Sequence, residues 1–139
     1  MIAMEETASL TDRNHGPKRP RVLVVDDEDA IRLLLREALS EYGYDVDTAA
    51  DGAEGLALFE LIKHDLVLTD LMMPAITGWD LARQLRRVDP TLPIIILTGY
   101  GQGLEDDARC HGILLMHKPV RMNAVAKAIG DALAEAGNS

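Results

Sequence analysis

Cysteine, basic residues and long apolar runs are all scarce in this sequence, and each scarcity excludes a class of protein. Because Cys110 is the only cysteine, no disulfide can form within the chain, and a reducing compartment such as the cytoplasm is expected. No apolar run approaches the roughly 20 residues that a membrane span needs, and the first residues lack the apolar core of a signal peptide. With 14 Lys and Arg against 23 Asp and Glu, the net charge of -9 argues against direct contact with nucleic acid and favours cations.

The length of 139 residues is that of about one domain, which can bury a core without disulfides or metal ions. Residues 1–20 have no apolar periodicity and are bounded by prolines, so we expect a flexible N-terminal tail. Acidic and basic residues cancel within this tail, which leaves the whole negative charge on the remainder. We therefore predict one folded domain over residues 21–136 and a short C-terminal end over residues 137–139.

Short apolar runs alternate with segments of helical periodicity from residue 21 onward. The runs, typical of buried strands, cover residues 22–25, 44–49, 65–70, 93–97 and 113–116. The helical segments cover residues 31–42, 51–62, 78–88, 102–111 and 125–133. Five strands that alternate with five helices indicate an α/β fold, a doubly wound parallel sheet covered by helices on both faces.

Each predicted helix except the fourth carries an apolar stripe that we expect to face the sheet. The expected positions are Ile31, Leu34, Leu35, Ala38, Leu39 and Tyr42, then Leu56, Phe59 and Ile62, then Leu81, Leu85 and Val88, and finally Val125, Ala128, Ile129, Ala132 and Leu133. The fourth segment is acidic and only weakly periodic, so its helix has the least support.

Polar residues follow four of the five predicted strands. All strands of a parallel sheet point the same way, so the residues after them gather at one edge, where ligands bind in open α/β sheets. Asp70 ends the middle strand, and Pro74 and Gly78 prevent that run from continuing. The residues expected to meet at this edge are Asp26, Asp27, Asp70, Thr98 and Lys118.

This group of residues has a chemical interpretation. Three crowded carboxylates repel one another, and a hard divalent cation with oxygen ligands holds them ionised. Mg²⁺ fits better than zinc because neither Cys nor His adjoins the acidic residues. Lys118 and Thr98 supply the donors that neutralise and orient phosphoryl oxygens. Asp70 is then the nucleophile, which attacks phosphorus to give an acyl phosphate.

The same motifs resemble the receiver domain of two-component response regulators over about residues 21–136. The motifs that carry the resemblance are Asp26-Asp27, Asp70 with Leu71-Met72-Met73-Pro74 and Gly78, Thr98-Gly99, and Lys118-Pro119. The resemblance implies a flavodoxin-like fold with strand order 2-1-3-4-5. It also implies that Asp70 accepts a phosphoryl group, with Mg²⁺ as cofactor, from a phosphohistidine on a sensor histidine kinase or histidine phosphotransfer protein.

Metal-ligand roles follow from the resemblance alone. Asp27 would ligate Mg²⁺ directly, Asp26 would assist mainly through water, and Asp70 and the backbone carbonyl of Met72 would complete the protein ligands. Met72 and Tyr100, two residues beyond Asp70 and Thr98, would flank the path of attacking water. Their bulk predicts a long-lived acyl phosphate.

The switch is implied in the same way. Thr98 would shift to hydrogen-bond the phosphoryl oxygen, and Lys118 would form an ion pair with it. The Lys118-Pro119 bond is expected to be cis. Members of this family commonly carry an aromatic residue three positions before the lysine, but this chain has Leu115 there. We therefore expect the fourth helix and its loops to reorder without a rotating aromatic side chain.

Several functions remain compatible with the sequence. We expect a free-standing phosphoryl acceptor that catalyses only its own phosphorylation and dephosphorylation, signals to an unknown downstream protein, and has no direct nucleic acid or membrane partner. It could form a homodimer through its fourth helix, fifth strand and fifth helix. Alternatives are an interaction module that is not phosphorylated, a phosphate sink or relay receiver for a hybrid kinase, and a phosphatase. The phosphatase would prefer an acid in place of Met72.

Other conspicuous residues have simpler interpretations. His64, His111 and His117 are predicted to be scattered surface or partly buried residues rather than a metal site. Trp79 begins a helix beside the active edge, where docking and simple packing are equally plausible.

Overall fold

The structure, a computed structural model, describes residues 19–99 and 103–137. Within these residues the strands are β1 (Arg21–Val25), β2 (Asp45–Ala49), β3 (Leu66–Asp70), β4 (Ile94–Thr98) and β5 (Ile113–His117). The helices are α1 (Asp29–Glu41), α2 (Gly52–Leu61), α3 (Gly78–Val88), α4 (Glu105–Cys110) and α5 (Met122–Gly137). Residues 1–18 of the predicted tail, residues 100–102, which include Tyr100, and residues 138–139 lie outside the described ranges. In the part of the chain that the structure describes, no helix combines the length and apolarity needed to cross a membrane.

The five strands form one parallel sheet in the order β2-β1-β3-β4-β5. This confirms the predicted flavodoxin-like fold. β3 and β4 are buried along their whole length, because helices cover both faces of the sheet. β2 lies at an edge and is only half-buried, as its alternating sequence predicts.

Alternate residues of the central strands belong to two separate cores, because successive side chains in a strand point to opposite faces. One core packs Leu23 and Val25 of β1 with Leu81 and Leu85 of α3. The other packs the remaining apolar residues of β1 with α1 and α5, namely Val22, Val24, Leu35, Leu39, Val125 and Ile129. The sheet is therefore held between two helical layers, and its central strands β3 and β4 are fully buried.

Four of the predicted core positions are wrong. Leu34 is 49% exposed, because α1 meets the sheet through a narrow stripe whose buried residues are Leu35 and Leu39. The other three, Tyr42, Ile62 and Val88, are exposed as well. Each of these three is the last residue of a helix or the residue after it, where the chain turns away from the sheet.

The fourth helix is shorter than predicted. It spans the six residues of Glu105–Cys110 rather than residues 102–111, and within it only Ala108 is buried. Gly103 has a φ of +92°, and Leu104 at the N-cap makes no side-chain capping hydrogen bond. The left-handed glycine separates the helix from the preceding loop.

Arg19 and Pro20 fall in the predicted tail but are bonded to the domain. The Arg19 guanidinium pairs with Asp45 at 3.1 Å and donates to the carbonyls of Ser40 and Tyr44. The Pro20 carbonyl accepts the Asp45 N–H at 2.9 Å. These contacts hold Arg19 and Pro20 against the end of α1 and the edge strand β2.

His64 is buried, contrary to the prediction of a surface or partly buried histidine. Its Nε2 lies 2.8 Å from an Asp47 carboxylate oxygen, and its ring stacks on Phe59. Asp47 also accepts a hydrogen bond from Arg21 at 3.2 Å. This polar cluster lies on β1, β2 and the segment before β3, and a carboxylate partner makes such burial tolerable.

Candidate functional site

Three carboxylates meet where β1 and β3 end. Asp26 and Asp27 directly follow β1, and Asp70 is the last residue of β3, its neighbour in the sheet. Each offers a carboxylate oxygen, and these oxygens lie within 4.8 Å of one another. Asp26 and Asp70 are only 1% and 8% exposed, whereas Asp27 is exposed. The structure thus brings together the acidic residues that the sequence predicted at this edge.

The Asp26 side chain has one satisfied and one unsatisfied oxygen. Its Oδ1 accepts the backbone N–H of Glu28 at 2.9 Å, while its buried Oδ2 has no hydrogen-bond partner among the described residues. Burial raises the pKa of Asp26 above its ordinary value of 3.8; the Glu28 N–H lowers it and the Asp70 charge raises it again. A buried acceptor beside two more carboxylates suits a hard cation with oxygen ligands.

Lys118 supplies the positive charge on the opposite side of Asp70. Its Nζ donates to Asp70 Oδ1 at 3.2 Å, across 48 positions of sequence. The backbone N–H of Lys118 donates to the Thr98 carbonyl at 2.8 Å, which joins the ends of β4 and β5. The Lys118-Pro119 peptide is cis, as the resemblance implied.

Thr98 is the last residue of β4 and is fully buried. Asp70 of β3 pairs with Leu97 of β4 in the sheet. Thr98 is the next residue of β4, so it lies one position beyond the residue that pairs with Asp70. Leu115 of β5 is half-buried and packs against the core that contains α3. Tyr100, predicted to flank the site, lies outside the described residues.

The loop between β3 and α3 is anchored on both sides of Met72. Leu71 and Met73 are buried, whereas the Met72 side chain is exposed. Ala75 has a φ of +69°, an uncommon conformation for a residue other than glycine and one that often marks functional loops. Met72, whose side chain is exposed, is the residue predicted from the sequence to flank the path of water that would attack the acyl phosphate.

The loop closes where α3 meets the end of β3. The Gly78 N–H donates to the Leu71 carbonyl at 2.8 Å, and a Cβ at Gly78 would lie 2.1 Å from the Asp70 carbonyl oxygen. Thr77 caps the helix by accepting the Asp80 N–H at 3.1 Å. Only glycine permits this close approach of α3 to the end of β3.

Arg32 contacts the site but was missed by the sequence reasoning. Its Nη1 donates to the Asp26 carbonyl at 2.6 Å, and its Nη2 pairs with Asp29. In the sequence, the i,i+3 spacing of Asp29 and Arg32 at the start of a helix predicts an ion pair between them. This spacing does not predict that Arg32 also contacts a carbonyl at the end of β1.

Among the described residues, His111, His117 and Trp79 do not join the acidic cluster. Trp79 is half-buried, packs against the core and meets His111 edge-on at 5.5 Å between ring centroids. This favours packing over docking for Trp79. His117 lies 3.3 Å from Glu105, so it connects the end of β5 to the first turn of α4.

A parallel sheet in this order, with an acidic cluster and a lysine at its carboxyl edge, defines a flavodoxin-like α/β protein. A family model described as the response regulator receiver domain matches residues 22–129. The chain therefore belongs to the response regulator receiver domains of two-component systems.

Individual relatives agree with this assignment. The transcriptional regulatory protein GlrR of Escherichia coli (strain K12) is 39% identical over 118 residues, which cover 84% of this chain and 27% of that protein. A CheY-like receiver domain protein from Methanospirillum hungatei JF-1 is 29% identical, with a TM-score of 0.82 over 87% of this chain and 98% of that one. The response regulator TrrA of Thermotoga maritima, solved with Mg²⁺-BeF, is 35% identical, with a TM-score of 0.74 over 81% and 98%.

The chain spans only part of its curated relatives. The first matches cover 34% and 9% of the lengths of those proteins. The shared segment is the receiver domain, and the activities of the longer proteins belong to those proteins.

Proposed function

We propose that this domain accepts a phosphoryl group on Asp70 from a phosphohistidine of a sensor kinase or phosphotransfer protein. The observation that carries the proposal is the placement of Asp70 between Lys118 and the acidic pair of Asp26 and Asp27. A nucleophilic carboxylate needs a positive group that neutralises the incoming phosphoryl oxygens, and Lys118 is within 3.2 Å of it. Similarity to TrrA, solved with Mg²⁺-BeF, supports the metal dependence.

In the proposed transfer, a carboxylate oxygen of Asp70 attacks phosphorus and forms the acyl phosphate bond. The bond from phosphorus to the histidine nitrogen breaks, and the electron pair stays on the imidazole. Asp26, Asp27, Asp70 and the Met72 carbonyl would hold Mg²⁺. When bound, Mg²⁺ neutralises charge on the phosphoryl oxygens.

After transfer, Thr98 and Lys118 hold the modified side chain. The Lys118 ammonium, freed from the carboxylate that it now contacts, pairs with a phosphoryl oxygen, and the Thr98 hydroxyl donates to another. Both residues lie at strand ends that are joined by the Lys118 N–H to Thr98 carbonyl bond. Movement at Thr98 is therefore transmitted to the ends of β4 and β5.

The output of the switch is proposed to be a change at α4. This six-residue helix is joined to β5 through the exposed pair of Glu105 and His117, so it is weakly held. Leu115 packs in the core and provides no rotating aromatic side chain. We expect α4 and its loops to reorder, and amide exchange there that stayed unchanged on phosphorylation would contradict this.

Several further aspects belong to the same proposal. The domain catalyses only its own phosphorylation and dephosphorylation, in the cytoplasm, and signals through an unidentified protein. A homodimer through α4, β5 and α5 is one form of output. Met72, two residues after Asp70, has an exposed side chain whose bulk would hinder water, which favours a long-lived acyl phosphate.

Intact mass after incubation with acetyl phosphate, with and without Mg²⁺, tests the proposal. We expect one phosphoryl adduct on the native protein that requires Mg²⁺ and is absent from Asp70→Asn. Asp131→Asn, which alters an exposed carboxylate on α5, is the matched control and should retain the adduct. Absence of an adduct from a protein that still binds Mg²⁺ would overturn the proposal and favour an interaction module that is not phosphorylated.

A further inference from the structure

Arg32 is a partly buried cation on α1 that bonds back to the loop at the end of β1. Its side chain is only 18% exposed. Nη1 donates to the Asp26 carbonyl at 2.6 Å, and Nη2 pairs with Asp29, the first residue of α1. The backbone N–H of Arg32 donates to the Glu28 carbonyl at 3.1 Å, so the residue lies in the first turn of the helix. A guanidinium with two partners in fixed directions holds them rigidly relative to each other.

The carbonyl that Arg32 binds belongs to the peptide that joins Asp26 to Asp27. The Asp26 residue is also held by its N–H, which donates to the Ala49 carbonyl at 3.1 Å, and by its Oδ1, which accepts the Glu28 N–H. Asp27 has no such support, because no described residue forms a hydrogen bond with its exposed carboxylate. The direction of the Asp27 side chain therefore depends on its backbone, and Arg32 anchors the peptide immediately before it.

The contact acts through geometry rather than through charge. The hydrogen bonds of the guanidinium go to a carbonyl and to Asp29, not to a carboxylate of the acidic cluster. Asp29 offsets the positive charge that would otherwise compete with a cation at the cluster. Arg32 thus brings rigid donors to the loop at little electrostatic cost to cation binding.

We propose that Arg32, oriented by Asp29, is a positioning residue that aims Asp27 into the acidic cluster and so sets the affinity of the cluster for Mg²⁺. This rests on the proposed function for the identity of the cation. Groups that orient metal ligands from behind commonly change metal affinity by about 10- to 100-fold when they are removed. The role differs from that of a ligand, because Arg32 touches neither the cation nor the phosphoryl group.

Isothermal titration of the full chain with Mg²⁺ tests the proposal. Arg32→Met removes both donors while keeping the length of the side chain, and we expect Mg²⁺ to bind about tenfold more weakly. Arg32→Lys keeps one donor and should recover part of the affinity. Arg36→Met, an exposed arginine one turn further along α1, is the matched control and should bind Mg²⁺ like the native protein.

The rate of phosphorylation distinguishes a positioning role of Arg32 from a direct role in the reaction. The rate of phosphorylation by acetyl phosphate, measured over a range of Mg²⁺ concentrations, should reach nearly the same maximum in Arg32→Met as in the native protein. The variant should need a higher Mg²⁺ concentration to reach this maximum. Should Arg32→Met fail to fold in urea-unfolding controls, Arg32→Lys and Asp29→Asn carry the test. Both are then expected to weaken Mg²⁺ binding by a smaller factor.

Two results would overturn the role of Arg32. Native Mg²⁺ affinity in folded Arg32→Met would show that the contact only stabilises the fold. Tighter Mg²⁺ binding would show that the positive charge dominates. A different result would show that the proposed function is wrong: the native protein would bind Mg²⁺ but gain no phosphoryl group. In that case the order of Mg²⁺ affinities among the Arg32 variants would still hold.

Discussion

Gly78 is where the backbone at the start of α3 packs against the end of β3. A Cβ there would stand 2.1 Å from the Asp70 carbonyl oxygen, and its other nearest atoms, in Asp70 and Leu71, are also backbone atoms that cannot yield as a flexible side chain would. We predict that Gly78→Ala costs about 3 kcal/mol or more of unfolding free energy, because α3 must move away from β3. Urea unfolding followed by circular dichroism measures the loss.

Gly99→Ala is the matched control for this prediction. A Cβ at Gly99 meets no atom of the described residues within 4 Å, so the unfolding free energy of Gly99→Ala should differ from that of the native protein by less than about 1 kcal/mol. Equal losses in the two variants would show that the close contact at Gly78 is not the cause.

Arg86 acts at the scale of elements, because one side chain connects α3 to two other segments. Its Nη1 donates to the carbonyls of Pro90 and Leu92 before β4, and its Nη2 donates to the Gly112 carbonyl between α4 and β5. Arg86→Met removes all three hydrogen bonds and should lower the unfolding free energy by about 2–3 kcal/mol. Arg87→Met, on the exposed face of the same helix, should have little effect, and a comparable loss there would contradict the role of these bonds.

The attachment of α4 to β5 should depend on pH. The pKa of Glu105 lies below its ordinary value of 4.5. The largest cause is the hydrogen bond between the backbone N–H of Glu105 and its own carboxylate, and the Gly103 N–H and His117 lower the pKa further. A lowered pKa in the folded state means that the ionised form stabilises the fold. This contribution is present above pH 4.5 and disappears as the pH falls through the lowered value.

Comparison of the native protein with Glu105→Gln measures this contribution. In urea unfolding at about pH 6 and about pH 3, the native protein should lose more unfolding free energy on acidification than the variant does. Glu60→Gln, an exposed change on α2, is the control and should follow the native profile. Parallel profiles for the native protein and Glu105→Gln would contradict the prediction.

The whole molecule should be more stable when a cation binds the acidic cluster. Three carboxylates within 4.8 Å repel one another in a chain of net charge -9, and a ligand that binds only the folded state stabilises it. At a Mg²⁺ concentration one hundred times the dissociation constant, we expect the unfolding free energy to rise by about 2.7 kcal/mol. Thermal unfolding with and without Mg²⁺ measures the rise.

Asp27→Asn tests whether this stabilisation arises at the cluster. Asp27 is exposed, so the variant should fold and lose most of the increase. NaCl at matched ionic strength controls for general screening of charge. An equal increase from NaCl, or in Asp27→Asn, would assign the effect to the overall negative charge instead.

The strands, their order along the chain and the polar residues at their ends could be predicted from the residues alone. Apolar runs are local, and parallel strands necessarily bring Asp26, Asp70 and Lys118 to one edge. The exposure of Leu34 and the burial of His64 against Asp47 could not be predicted in this way, because burial depends on how each element is rotated against the sheet. The contact of Arg32 with the Asp26 carbonyl also became evident only in the folded protein. A bond to a backbone oxygen depends on where a helix begins relative to a strand end, and no residue pattern records that distance.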